Sequence, residues 1–140
     1  MRALLAVAAA VALSGCAIGP TYLRTANGSV PVAEDAGPRP SREVIDQYLR
    51  ASLRDPSSAQ VERVVGPGFV NQKSHIITPA FYGWVTCFDV NAKNAFGGYT
   101  GFKRNALVVR DGRIVYTQTQ DDSWRTSVDW FNQVCGAAAG

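Results

Sequence analysis

Few residues in this chain have types and spacings suited to catalysis. A nucleophile needs a base within hydrogen-bond reach, and that base needs a third group to orient it. His75 is the only histidine, and beside Ser74 it has no such third group nearby in the sequence. Asp121 and Asp122 could form an acid–base pair, but adjacent carboxylates after a strand are typical of a turn. The sequence therefore predicts no catalytic residue and no cofactor, and it favours a function other than catalysis.

The three cysteines, Cys16, Cys87 and Cys135, do not form a metal-binding pattern. Zinc sites need closely spaced cysteine and histidine ligands, and calcium sites need a loop dense in oxygen ligands; neither is present. If the chain is exported to an oxidising compartment, Cys87 and Cys135 are predicted to form a disulfide. The alternative is a pair of buried free thiols.

The first residues have the order of a secretory signal. Arg2 precedes an apolar run, Ala3–Ala12, that is too short to span a bilayer, and Leu13-Ser14-Gly15-Cys16 follows it. This tetrapeptide resembles a bacterial lipobox. The resemblance implies removal of residues 1–15, a diacylglyceryl group on the Cys16 sulfur and acylation of the new amine. Ala17 stands where an aspartate would retain the protein in the inner membrane, so the resemblance implies lipid anchoring in the outer membrane, facing the periplasm.

Length and charge limit the remaining function classes. The chain has 140 residues and a formal net charge of +3, which is close to neutral and gives no support for nucleic-acid binding. Its length suits one domain. Residues 16–40 are rich in small residues and proline and are predicted to form the lipidated cysteine and a flexible tether. Residues 41–136 are predicted to form a single periplasmic domain, and residues 137–140 a frayed tail.

Hydrophobic periodicity predicts the elements of that domain. Ser41 is a good N-cap for a helix that should end near Arg54, since Pro56 prevents its continuation; Asp55 can then cap a short turn. The C-terminal stretch from Ser127 to Gly136 has a second helical pattern, with Cys135 on its apolar face.

Four strands are expected between the two helices. They are Gln60–Val65, broken by Gly66-Pro67-Gly68; Phe81–Val90, apolar on both faces; Phe102–Val109; and, after the turn Asp111-Gly112, Arg113–Thr119 with Ile114 and Tyr116 on one face. The fold class predicted is α+β, a small antiparallel sheet of three to four strands with an N-terminal helix and a short C-terminal helix packed on one face.

The stretch "DVNAKNAFGGYTG", Asp89–Gly101, has glycines that suggest a phosphate loop, but a strand rather than a helix follows it. A hairpin is therefore predicted, with the loop from Asn91 to Gly98 and a strand from about Tyr99. Its composition has two interpretations. One is folding alone, with glycines for the turn, asparagines bonding the loop backbone, and Phe96 and Tyr99 in a small apolar cluster. The other is a binding surface for a glycan or an extended peptide, in which aromatic and polar side chains flank one end of the sheet: Tyr82, Trp84, Phe96 and Tyr99 with Asn91, Lys93 and Asn94.

Two stretches resemble motifs of a family of small bacterial proteins of unassigned function, many of them predicted lipoproteins. "LRDPSSA", Leu53–Ala59, is similar to Leu-x-Asp-Pro-x-Ser-Ala, and "VNAKNAFGGY", Val90–Tyr99, is similar to Val-Asn-Ala-Lys-Asn-x-Phe-Gly-Gly-Tyr. The resemblance covers about residues 42–116 and implies a shared hairpin. It implies no activity or ligand, so no site residue is carried over.

The function expected from these features is a lipid-anchored periplasmic domain, attached to the membrane through its lipid, that binds an envelope protein or peptidoglycan. An alternative is a small-ligand or enzymatic domain that uses the sheet face near Tyr82, Trp84 and Tyr99. A third is an accessory subunit that contacts its partner through an exposed edge strand.

Overall fold

The computed structural model describes residues 22–74, 79–120 and 128–139. The predicted signal sequence, Cys16, His75, Asp121 and Asp122 lie outside these ranges. Two helices, α1 (Glu43–Ser52) and α2 (Val128–Ala138), accompany four strands, which are β1 (Gln60–Gln72), β2 (Phe81–Asn91), β3 (Lys103–Arg110) and β4 (Arg113–Thr119). The strands form one antiparallel sheet in the order β1-β2-β3-β4. The predicted α+β class is confirmed. Over the described residues, no helix has the length and hydrophobicity needed to span a membrane.

The two helices pack on opposite faces of the sheet. On one face, α1 packs its apolar residues against Phe88 and Leu107; on the other, α2 covers Val85, Ala106 and their neighbours. The prediction of both helices on one face is therefore wrong. The physical reason is present in β2 and β3, because strands that are apolar on both faces need a cover on each.

A disulfide joins α2 to the central strand. Cys87 on β2 and Cys135 on α2 have an Sγ–Sγ distance of 2.04 Å and a Cα–Cα distance of 5.8 Å, and both residues are buried. The predicted pairing is confirmed.

β1 continues through the glycine–proline segment that was expected to end it. It pairs with β2 from Gln60 to Gln72, with register shifts between Glu62 and Val65 and between Val65 and Gly68. These irregularities absorb the poor strand formers without ending the pairing. Gly68 is required there by packing, because a Cβ on it would lie 2.5 Å from the Cα of Ala138 in α2.

The β3–β4 hairpin has the predicted turn but an unpredicted bulge. Asp111 and Gly112 both have positive φ, 51° and 73°, as a two-residue hairpin turn requires. A register shift follows, so that Ile114 pairs with Val109 while Tyr116 pairs with Val108. Ile114 therefore packs on the α1 side and Tyr116 on the α2 side, which corrects the prediction of one shared face.

Both ends of the folded domain extend beyond their predicted limits. Within the predicted tether, Ala33–Ala36 forms a 3-10 helix, and Ala36 is fully buried. The Trp84 indole N–H donates to the Gly37 carbonyl at 2.9 Å, which holds this segment on the sheet. At the other end α2 runs to Ala138, which is buried, so neither a stop at Gly136 nor a tail frayed from residue 137 is observed.

Candidate functional site

The most prominent exposed feature of the described chain is the segment 92–102 between β2 and β3, here called the projecting loop. Its two arms approach each other at an isolated bridge between Lys93 and Tyr99. Beyond the bridge, the Asn94 N–H donates to the Gly98 carbonyl at 2.8 Å, and the Gly97 N–H donates to the Asn94 carbonyl at 3.1 Å. The loop is thus a tight turn on a short paired neck. The predicted hairpin is present, although β3 begins at Lys103 rather than near Tyr99.

Both asparagines use their side-chain oxygens to order the loop. Asn94 Oδ1 accepts from the N–H groups of Phe96, at 2.9 Å, and Gly98, at 3.1 Å. Asn91 Oδ1 accepts from the Gly101 N–H at 3.0 Å. Asparagine is suited to this role because its short amide can bond backbone groups a few residues away. These oxygens have a folding role, as the first of the two interpretations predicts.

The neck is also bonded to the turn that follows α1. The Lys93 N–H donates to Ser58 Oγ at 3.2 Å, and the Tyr99 hydroxyl donates to the Ser58 carbonyl at 3.3 Å. The two motif stretches, distant in sequence, are therefore in contact. In the same turn the pKa of Asp55 is lowered by a hydrogen bond from Ser57 Oγ, with smaller contributions from the Ser58 backbone and the charge of Lys93.

Three aromatic side chains of this region are open to solvent. Phe96 at the tip is 96% exposed, and Tyr99 and Phe102 are 47% and 42% exposed. The Lys93 ammonium lies 5.7 Å from the centroid of the Tyr99 ring. The small apolar cluster expected for Phe96 and Tyr99 is not formed, so folding alone does not account for Phe96.

Tyr82 and Trp84 do not belong to this surface. They lie near the start of β2, nine and seven residues from its loop end at Asn91, which corresponds to roughly 30 Å and 23 Å along the strand. The Arg110 guanidinium carbon is 4.4 Å from the Tyr82 ring centroid, and that of Arg39 is 5.3 Å from the Trp84 ring centroid. The prediction of one surface containing all seven residues is wrong. Because the two ends of a strand lie far apart, residues at opposite ends cannot share a small site.

A charge cluster around one buried carboxylate is a feature that the sequence did not reveal. Asp89 on β2 is 1% exposed and accepts a hydrogen bond from Arg104 Nη1 at 3.1 Å, while Arg63 pairs with its other oxygen. Arg63 has a positive φ of 46° at the β1 irregularity. The cluster cross-links three strands, and since Asp89 is buried while Arg63 is largely exposed, removing both arginines would leave a buried carboxylate without a countercharge. The only sign of this cluster in the sequence was Asp89, a single aspartate between two apolar residues of a predicted strand.

A cavity of about 260 Å³ opens between α1 and the base of the projecting loop. Its walls include Leu49 of α1, Leu53 directly after that helix, and Val90 and Ala92 near the end of β2. Among the described residues, no group of three or more histidine, cysteine, aspartate or glutamate side chains is placed to hold a metal ion.

The chain was compared with models of protein families, with curated proteins and with solved structures, and no match was found in any of the three.

Proposed function

We propose that this protein is a lipid-anchored, non-enzymatic domain of the bacterial envelope, and that it binds another envelope component, a protein or peptidoglycan, through the projecting loop. The observation that carries the proposal is the almost complete exposure of Phe96. Burying one large apolar side chain contributes about 1.5–3 kcal/mol. A phenylalanine kept in water at a loop tip is therefore available to contribute that energy on binding.

The order of the loop strengthens this proposal. A few side chains usually supply most of the binding free energy of an interface. Binding is weakened when a flexible segment must become ordered, because that segment loses conformational entropy. Here the backbone around Phe96 is already held by Asn94 and, at the neck, by Ser58. The loop can thus present its aromatic tip with little further loss of conformational entropy.

The proposed location depends on the lipobox resemblance and is supported by the disulfide. Disulfides persist mainly in oxidising compartments such as the periplasm, and Cys87 and Cys135 are bonded in this domain. Two or more acyl chains on Cys16, each buried CH₂ contributing about 0.8 kcal/mol, would anchor the domain stably.

The binding proposal can be tested with a photo-crosslinking phenylalanine analogue at position 96 in intact cells. The matched control carries the analogue at Val115, which is 41% exposed on β4 and outside the loop. We expect a reproducible adduct from position 96 that is absent from position 115. Digestion with a muramidase then distinguishes peptidoglycan from a protein adduct. Identical products at both positions, or none at position 96, would contradict the proposal.

The anchor is tested separately by Cys16→Ser. We expect this variant to leave the membrane fraction, since the proposed lipid is attached to that sulfur. Retention of the variant in the membrane would refute the lipoprotein assignment without affecting the loop proposal.

The small-ligand alternative is not favoured at the sheet face near Tyr82 and Trp84. Arg110 and Arg39 lie over the two rings, and Gly37 accepts the Trp84 indole hydrogen bond. Any small-ligand site in the described chain is better sought at the cavity beside the projecting loop.

A further inference from the structure

We propose that the cavity between α1 and the base of the projecting loop binds a small monocarboxylate that carries one compact apolar group. The proposal does not depend on binding at the loop tip, because Phe96 does not line the cavity. It begins from the lining: Leu49 is buried in the α1 cluster, Leu53 and Val90 pack against that cluster, and Ala92 is half-buried. These side chains form a mostly apolar wall.

Two polar side chains that line the cavity, Asn105 and Thr119, are hydrogen-bonded to their own neighbours. Thr119 Oγ1 donates to Asn105 Oδ1 at 2.7 Å, and Asn105 Nδ2 donates to the Lys103 carbonyl at 2.9 Å. Asn105 is buried, so these bonds satisfy groups that would otherwise require water or a ligand. An apolar group can therefore occupy the interior without leaving these polar atoms unpaired.

The rim of the cavity, in contrast, carries a positively charged side chain. Lys103 lines the cavity and is exposed, and within the described ranges of the chain its ammonium has no acidic partner. Lys103 pairs with Val90 across the sheet, so both side chains are on the face that α1 covers. An apolar interior with a cation at the edge is complementary to an apolar group that ends in a carboxylate.

The volume limits the size of the apolar group. A dry cavity of about 150 Å³ is enough for benzene, whereas sites for drug-sized ligands occupy about 300–1,000 Å³. At about 260 Å³ the cavity can hold one ring or a short branched chain with its carboxylate. A free acid and the carboxyl terminus of a peptide ending in an apolar residue share this chemistry.

The test uses the purified full chain in lipid nanodiscs, with empty nanodiscs as the blank. Three probes are titrated by saturation-transfer difference NMR: 3-phenylpropanoate, its neutral amide, and N-acetylglycyl-phenylalanine. We expect the acid to bind more tightly than the amide. If 3-phenylpropanoate binds more tightly than the peptide, the site prefers a free acid. If the peptide binds more tightly, the site prefers the carboxyl terminus of a peptide.

Two variants locate the binding. Lys103→Gln should weaken binding of the acid about twofold to fivefold, as expected for a partly exposed ion pair, and leave the amide unchanged. Thr100→Trp places bulk on an exposed lining residue and should abolish binding of all three probes. Lys93→Gln is the matched control, because it removes the same charge from the loop at a residue that does not line the cavity. Circular dichroism of each variant checks that the fold is retained.

Several outcomes would overturn the proposal. One is equal binding of acid and amide, or no response of acid binding to Lys103→Gln; the cavity would then be merely apolar. Another is the absence of binding by any probe at millimolar concentration. A third is a concentration-dependent dimer, if Phe96→Ala both abolishes the dimer and strengthens probe binding. The group that occupies the cavity would then be the Phe96 ring of a second copy of the chain.

Discussion

Removal of the Cys87–Cys135 disulfide by the double variant Cys87→Ala/Cys135→Ala is expected to cost a substantial part of a typical domain's margin of stability. The bond closes a loop with a sequence separation of 48 residues. In the chain-entropy description, a loop of this length restricts the unfolded chain by about 4 kcal/mol. Single domains are typically stable by about 5–15 kcal/mol. The melting temperature should therefore fall by roughly 15–25 °C.

The measurement is thermal and urea unfolding at pH 7, followed by circular dichroism, for the wild type and the variant. Wild-type protein unfolded in the presence of a reductant is the control and should show a similar loss, while the variant should not respond to the reductant. Hydrogen exchange should also accelerate in α2, which the bond joins to β2. A loss below about 1 kcal/mol would refute the reasoning that this bond restricts the unfolded chain.

Three further predictions concern packing, ionisation and the loop. Gly68→Ala should destabilise the domain by about 1–3 kcal/mol, because its Cβ would overlap the Ala138 backbone, whereas Gly136→Ala, with no atom within 4 Å, should stabilise α2 by about 0.5–1 kcal/mol in urea unfolding. Burial raises the pKa of Tyr116, so the tyrosine ionises first in the unfolded chain and the free energy of unfolding should fall as the pH rises above about 10. Tyr116→Phe should flatten this decline above about pH 10, measured by urea unfolding; equal slopes would contradict it. Asn94→Ala should accelerate amide exchange at the loop tip and lower the free energy of unfolding by no more than about 1 kcal/mol, while Asn94→Asp, which keeps an acceptor, should retain most of the protection.

The sequence predicted the secondary-structure elements best where a single residue type determines the backbone conformation. The Asp111-Gly112 turn supplies two positive φ values, and β4 occupies the predicted residues 113–119. The disulfide followed from cysteine count and the inferred compartment. In these cases short-range geometry or covalent chemistry is sufficient.

Long-range contacts determined what the sequence did not reveal. The Gly66-Pro67-Gly68 segment has the composition of a strand break, yet β1 continues because β2 supplies its ladder and α2 approaches Gly68 closely. The side on which Tyr116 packs depends on one bulge, which no period-2 pattern encodes. The candidate site was predicted in part: the loop and its asparagines follow from local composition, whereas Tyr82 and Trp84 lie at the other end of β2, and residue type alone does not tell which end of a strand meets a given loop.

The sequential order of the strands has a consequence while the chain is being synthesised. β1 to β4 can pair in turn as they emerge, each beside its predecessor, and α1 is already present to cover one face. The other face, around Val85 and Ala106, receives its cover and its disulfide partner only from α2, the last element. At about 5–20 residues per second, the roughly twenty residues from the end of β4 to the end of α2 take about one to four seconds to make. During that interval a domain that folds as it is made displays an apolar sheet surface around Val85 and an unpaired Cys87 thiol, and the apolar surface is a suitable target for a holding chaperone.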